Sequence, residues 1–305
     1  MKSIATLLFL FCYIGGYCQM NLTDSSYTCL AHWRKGEEKS FAIQRNKESI
    51  LSGSTQPPFT FNYEAVVTIL DSTAEGYKIK WVFQLPELLK KMNPGLAEAM
   101  PVYDGLQMIF LTTTKGAFVE LINWQEVRDA YIKMMEVSLP PNPDAKTKAV
   151  IEKNIALFNS KEMVESTMIP DIQLFYSPYG TVFTQKGTTA PGIAITPFSE
   201  DPLPCIIAEK INEIIPEQGL LRISQHQKLD KGNTDKGSAD FLKKLGEQED
   251  SLLLATKEIL AKLEMTDHRE YLIAPSTGWI SSASFEKMAT SGNRINKETF
   301  TIVLK

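Results

Sequence analysis

The chain has 305 residues, 43% of them hydrophobic and 22% charged, with 32 basic residues against 36 acidic ones and a net charge of −4. Such a composition is that of an ordinary globular protein, long enough for one large domain or two small ones. An acidic chain without a basic run has no electrostatic footprint for nucleic acid or an anionic lipid surface, so neither is expected as a partner.

Residues 1–18, "MKSIATLLFLFCYIGGYC", read as a secretory signal. Lys2 supplies the positive start, Ile4 to Ile14 an apolar run, and Gly15-Gly16 a break. The run falls short of the roughly 20 residues that cross a bilayer. Cleavage after Cys18 places Gly16 and Cys18 where small residues are wanted. Lipoprotein anchoring through Cys18 is disfavoured, because Tyr17 precedes it where a small residue is required. No later segment is apolar enough to span. The expected location is therefore exported, periplasmic or extracellular, with no transmembrane segment in the mature chain. Cys29 and Cys205 then remain as a candidate disulfide, or as two buried thiols.

A leading strand is expected around Glu37–Lys47. The next stretch, "VVTILDSTAEGYKIKWVF", reads as a β-hairpin turning before Gly76. "LPELLKKMNPGLAEAM" reads as two short helices, with Pro86 in a first turn and Pro94-Gly95 as the break. "MIFLTTTKGAFVELI" is a second hairpin, turning before Gly116. "NWQEVRDAYIKMMEV" predicts a helix capped by Asn123, with Trp124, Val127, Tyr131 and Met134 on one side. After a proline-rich loop, "AKTKAVIEKNIALF" places Val150, Ile151, Ile155 and Phe158 on a helix face. "KEMVESTMIPDIQLFYSPYG" is helical, with Gly180 as its C-terminal cap.

A second leading strand follows around Thr181–Pro197. The proline-rich "TAPGIAITPFSEDPLP" reads as an extended surface segment able to lie across a groove as an edge or lid. Further hairpins turn before Gly219 and Gly278. Between them, Ser238 to Met265 carries a helical stripe of Leu242, Leu245, Leu252, Ile259 and Leu263. The closing "KETFTIVLK" alternates as a strand, with Phe300, Ile302 and Leu304 on one face.

These elements predict an α+β fold of two similar halves, each built of antiparallel hairpins with helices packed on one face of a curved sheet. The expected divisions are 1–18 (signal), 19–138 (N-terminal half), 139–180 (helical connector) and 181–305 (C-terminal half). The hairpin–helix–hairpin order, the turn Pro275-Ser276-Thr277-Gly278-Trp279 and a signal ending before Gln19 resemble exported bacterial proteins of unknown function. At fold level the chain is similar to the periplasmic lipoprotein-carrier family, whose curved antiparallel sheet cradles helices over an apolar cavity. The resemblance spans most of the mature chain in element order. It implies an apolar or lipid-like partner and supplies no catalytic residues.

Several motifs invite chemistry and do not carry it. Ser284-x-x-Lys287 followed by Ser291-x-Asn293 spells the acyl-enzyme signature, but on the outgoing arm of the Gly278 hairpin residues three apart point to opposite faces. Gly232, Gly237 and Ser238 lack the lysine of a phosphate loop and lie among Asp230, Asp235 and Asp240. His32, His226 and His268 have no metal-ligand spacing, so no metal or cofactor is expected. Trp81, Trp124, Tyr176, Tyr179 and Trp279 are the candidate ligand-lining residues, and they equally suit a core. The functional expectation is an exported, non-catalytic protein binding an apolar or lipid-like ligand or an envelope protein partner. The alternatives are an exported hydrolase in which His226 or His268 meets a carboxylate or hydroxyl, and a component of a surface assembly.

Overall fold

The computed structural model describes residues 25–51, 53–55, 57–85, 102, 104–137, 143–196, 199–230 and 263–305. Strands make up 56% of these residues and helices 19%. In chain order they are β1 (Ser26–Thr28), β2 (Glu38–Leu51), β3 (Ser54–Thr55), β4 (Phe59–Ser72), β5 (Tyr77–Gln84), β6 (Gln107–Thr112) and β7 (Phe118–Leu121). Four helices follow: α1 (Trp124–Val137), α2 (Ala145–Leu157), α3 (Lys161–Met168) and α4 (Pro170–Tyr176). The remaining strands are β8 (Val182–Thr184), β9 (Thr188–Thr196), β10 (Ser199–Ile215), β11 (Leu220–Leu229), β12 (Leu263–Ala274), β13 (Trp279–Ser291) and β14 (Arg294–Leu304).

One antiparallel sheet runs β7-β6-β5-β4-β2-β14-β13-β12-β11-β10-β9, with β3 added beside β2, and β1 pairs β8 in a small separate sheet. The expected α+β fold of two similar halves is thereby corrected to a mostly β architecture built on one large sheet. What overturns it is β14. Its Ile302 faces Ile43 of β2 and Ala283 of β13 in register, so strands from both ends of the chain form one continuous ladder. Alternation revealed β14 as a strand, but alternation does not name a strand's partners.

All four glycine-turned hairpins form: β4–β5, β6–β7, β10–β11 and β12–β13. The helix expected after Asn123 is α1, with Val127 buried and Trp124, Tyr131 and Met135 packed against the core. Two further expected helices are α2 and the pair α3–α4, which Gly180 follows at φ +86°. The expected helices over 85–100 and 238–262 lie outside the described residues or nearly so, as does the signal at 1–18. Leu263 to Met265, at the end of the second stretch, open β12.

The sheet is strongly curled. The tips of β6–β7 and β12–β13 lie six strand spacings apart in the order, about 29 Å if the sheet were flat. Yet a methyl group built on Gly116 would touch Ala31, and one on Gly278 would touch Ala31 as well. Ala31 belongs to a plug stitched by backbone bonds: Cys29 N to Thr181 O (3.0 Å), Gly180 N to Cys29 O (2.7 Å) and Ala31 N to Lys115 O (2.9 Å). Inside the curl, the plug and α4 meet inward side chains such as Phe41, Val67, Trp81, Phe110, Tyr271 and Ile302 in one core. At its centre Trp33 contacts the rings of Tyr77, Tyr176, Tyr179 and Trp279, with centroids 5.0–5.7 Å apart.

Candidate functional site

The inward positions change character along each strand. Near the hairpin tips they are apolar: Phe41 and Ile43 on β2, Ile302 and Phe300 on β14, Ala283 and Phe285 on β13, Ile273 and Tyr271 on β12. Two residues further along, the same side-chain period brings Arg45, Glu298, Lys287 and Arg269 to the inner face. A band of charge therefore crosses the sheet beyond the core. Past it, Leu203, Cys205, Leu229 and Met265 form a second small apolar cluster.

The band, with Leu229 and Met265 of this cluster, lines a groove of about 390 Å³, bounded by α4 on one side and by β9, β11–β14 and Arg45 of β2 beneath. Apolar side chains on its wall include Leu174, Leu229, Met265, Phe285 and Phe300. Met265, Lys287 and Glu298 also border a neighbouring groove of about 480 Å³ that reaches Phe59 and Ala289.

Most of the charges in the groove hold one another. Asp171, buried on α4, accepts from Tyr63 Oη at 3.0 Å and faces Arg45 Nη1 at 3.7 Å. Burial raises the Asp171 carboxyl above its ordinary range, against the opposing pull of Arg45 and of the Tyr63 hydrogen bond. Arg45 Nε donates in turn to Glu298, which Lys47 approaches at 3.5 Å. Arg269 grips Asp267 with two bonds (Nε–Oδ1 3.1 Å, Nη2–Oδ2 2.7 Å) and extends to Gln227 Oε1 and Ser177 Oγ. Lys287 is the exception: it is half-buried and makes no ion pair or hydrogen bond among the described residues.

The sequence-predicted residues lie elsewhere. Trp81, Tyr176, Tyr179 and Trp279 are buried in the main core, and Trp124 packs at its margin beneath Arg128. None of the five lines the groove among the described residues. Tyr179 Oη donates to Gly278 O at 2.6 Å and Trp279 Nε1 to Glu37 at 2.9 Å, so their polar ends are spent on architecture. Cys29 and Cys205 are unbridged, one in the main core and the other in the second cluster. His226 and His268 sit opposite each other on the exposed face of β11 and β12, with ring centroids 5.9 Å apart. Ser284 is exposed while Lys287 faces the groove, as expected of residues three apart on β13. The proline-rich stretch forms edge strand β9 and the start of β10, and Ile193 of that edge borders the groove.

The groove residues escaped notice because their sequence signal was weak. Arg45, Asp267 and Arg269 alternate just as solvent-facing residues do. Only the neighbouring Met265, Phe285 and Phe300 on the same strand faces hinted that those charges point inward.

No protein-family model matches the chain, and no curated protein matches it. Among solved structures it is similar to lipovitellin, from a study of lipid–protein interactions, with a TM-score of 0.42 and 11% identity. That match covers 89% of this chain and 25% of the other, so the chain spans a quarter of the length of lipovitellin. It is also similar to a Bacteroides fragilis protein described as exported, with a YmcC-like fold (TM-score 0.22, 10% identity, 90% of this chain and 99% of that one). A third likeness is to a loop-deleted form of OmpT, an outer membrane protein of Vibrio cholerae (TM-score 0.21, 7% identity, 89% and 100%). At these scores the likenesses carry no functional argument. No helix among the described residues is long and apolar enough to cross a membrane.

Proposed function

We propose that this chain is an exported, non-catalytic binding protein that holds an apolar, lipid-like ligand in the groove on the inner face of its curled sheet. The observation that carries this reading is the groove itself. It offers about 390 Å³ beside Leu229, Met265, Phe285 and Phe300, in the size range of small-molecule sites. Its acids are held by arginines: Asp267 by Arg269, Asp171 and Glu298 by Arg45. Such pairs shape a wall and leave little freedom for proton transfer, which favours containment over catalysis. Export is supported by residues 1–18, and the resemblance to lipoprotein carriers points to the same ligand class.

Fluorescence titration with N-phenyl-1-naphthylamine tests the reading. The full chain should bind this apolar probe saturably, and Gln173→Trp, which adds bulk to the wall of this groove, should weaken binding without changing the circular dichroism spectrum. No saturable uptake of the probe, together with no small molecule released by organic extraction of the purified protein, would overturn it.

A further inference from the structure

We infer that the ligand carries an acidic head, and that Lys287 is the side chain that anchors it. This rests on the binding reading above and adds the chemistry of the ligand's polar end.

The ladder places Lys287 directly between two carboxylates, Asp267 on β12 and Glu298 on β14. Either would be its natural partner across the sheet. Neither takes the role: Asp267 is gripped by Arg269, and Glu298 by Arg45 with Lys47 alongside. The ammonium, with three donors and no acceptor, is left half-buried where the two grooves meet. With no hydrogen bond or ion pair among the described residues, this half-buried charge is only partly compensated, and an anion in the groove would pair with it.

The surroundings choose the kind of anion. The second groove also carries Lys47, Arg294 and Lys297 against Glu48 and Glu298, so its lining is net positive in a chain that is net negative. Arg294 has no partner among the described residues, whereas Lys297 is tied to Glu286 at 2.9 Å. From Lys287 the apolar wall continues through Met265, Phe285 and Leu229. An amphiphile fits this order: a carboxylate or phosphate at Lys287, in a groove that Lys47 and Arg294 also line, and a hydrocarbon chain over the apolar wall. A bilayer surface does not fit, because the cation lies inside a groove of an acidic protein and not on an exposed basic face.

Calorimetry with the full chain distinguishes the possibilities, using palmitate, hexadecanol, lysophosphatidate and inorganic phosphate against wild type, Lys287→Met and Lys287→Arg. The expected result is that an acidic amphiphile binds roughly 10-fold or more tighter than hexadecanol, as one charge-assisted hydrogen bond predicts. That preference should vanish in Lys287→Met and return in Lys287→Arg. Palmitate obeying this pattern identifies a carboxylate head; lysophosphatidate alone obeying it identifies a phosphate lipid. Equal binding of palmitate and hexadecanol would overturn the acidic head and leave the apolar site standing. Inorganic phosphate binding as tightly as the amphiphiles would overturn the need for a chain. Binding of no amphiphile at all would overturn both readings.

Discussion

Gly278 and Gly219 both close hairpins with left-handed backbone, at φ +69° and +64°. Around Gly219 a side chain would meet open space, whereas at Gly278 a methyl group would lie 2.2 Å from Leu30 O and 2.9 Å from Ala31 Cα. The two positions separate conformational strain from collision. Gly219→Ala should cost about 1–2 kcal/mol, the penalty for left-handed backbone with a Cβ. Gly278→Ala should cost at least ~3 kcal/mol, since backbone and not a flexible side chain must move. Urea unfolding of the two variants measures the difference, and equal losses would mean that the plug yields easily. Asp171 gives a second test at this scale. Burial raises its folded pKa above the unfolded value, so the folded state holds the proton more tightly. Its contribution to stability is thus most favourable at low pH and declines as pH rises from the ordinary carboxylate range through the raised pKa. Relative to Asp171→Asn, the wild type should lose stability across that window as pH rises, read from urea midpoints at successive pH values. A difference between the two proteins that does not vary with pH would refute the shift.

Among the elements, the hairpins were the most legible, because each joins alternating apolar residues through a short turn to a positive-φ glycine. Helix α1 was legible too, but the role of Asn123 was not. Its Oδ1 accepts from Ile109 N at 2.8 Å and its Nδ2 donates to Gln107 O at 2.9 Å, so the expected cap residue secures β6 with its side chain. Most obscure were the far ends of β12, β13 and β14. There the inner face carries Arg269, Lys287 and Glu298, and a strand polar on both faces gives no hint of which side is buried. The two apolar clusters that flank this band should also open separately. Cys29 lies in the main core within the plug, whereas Cys205 lies in the small cluster, one strand from edge β9. Burial raises both thiols and slows their reaction. Alkylation mapped by peptide mass should label neither natively, and Cys205 before Cys29 as denaturant rises, because edge elements open at lower free energy. Simultaneous labelling would indicate that the sheet opens only as a unit.

At the scale of the molecule, composition gives the net acidity of the chain but is silent on a local exception. A handful of cations lining one groove leaves no trace in a net charge of −4. The division into two halves likewise followed from element order, whereas the sheet is defined by which strands meet. That meeting depends on β14, which lies between β2 and β13 while being far from β2 along the chain. Until β14 is synthesised, β2 and β13 each present a bare hydrogen-bonding edge, and the two groups of hairpins have no strand to join them. A ribosome must therefore translate nearly all of these residues before the sheet can close, and contacts so distant in sequence form slowly. A chain truncated just before Arg294 would lose little of its length, but it would be left with two sticky edges. It would be expected to aggregate instead of folding as a slightly smaller version of the same protein.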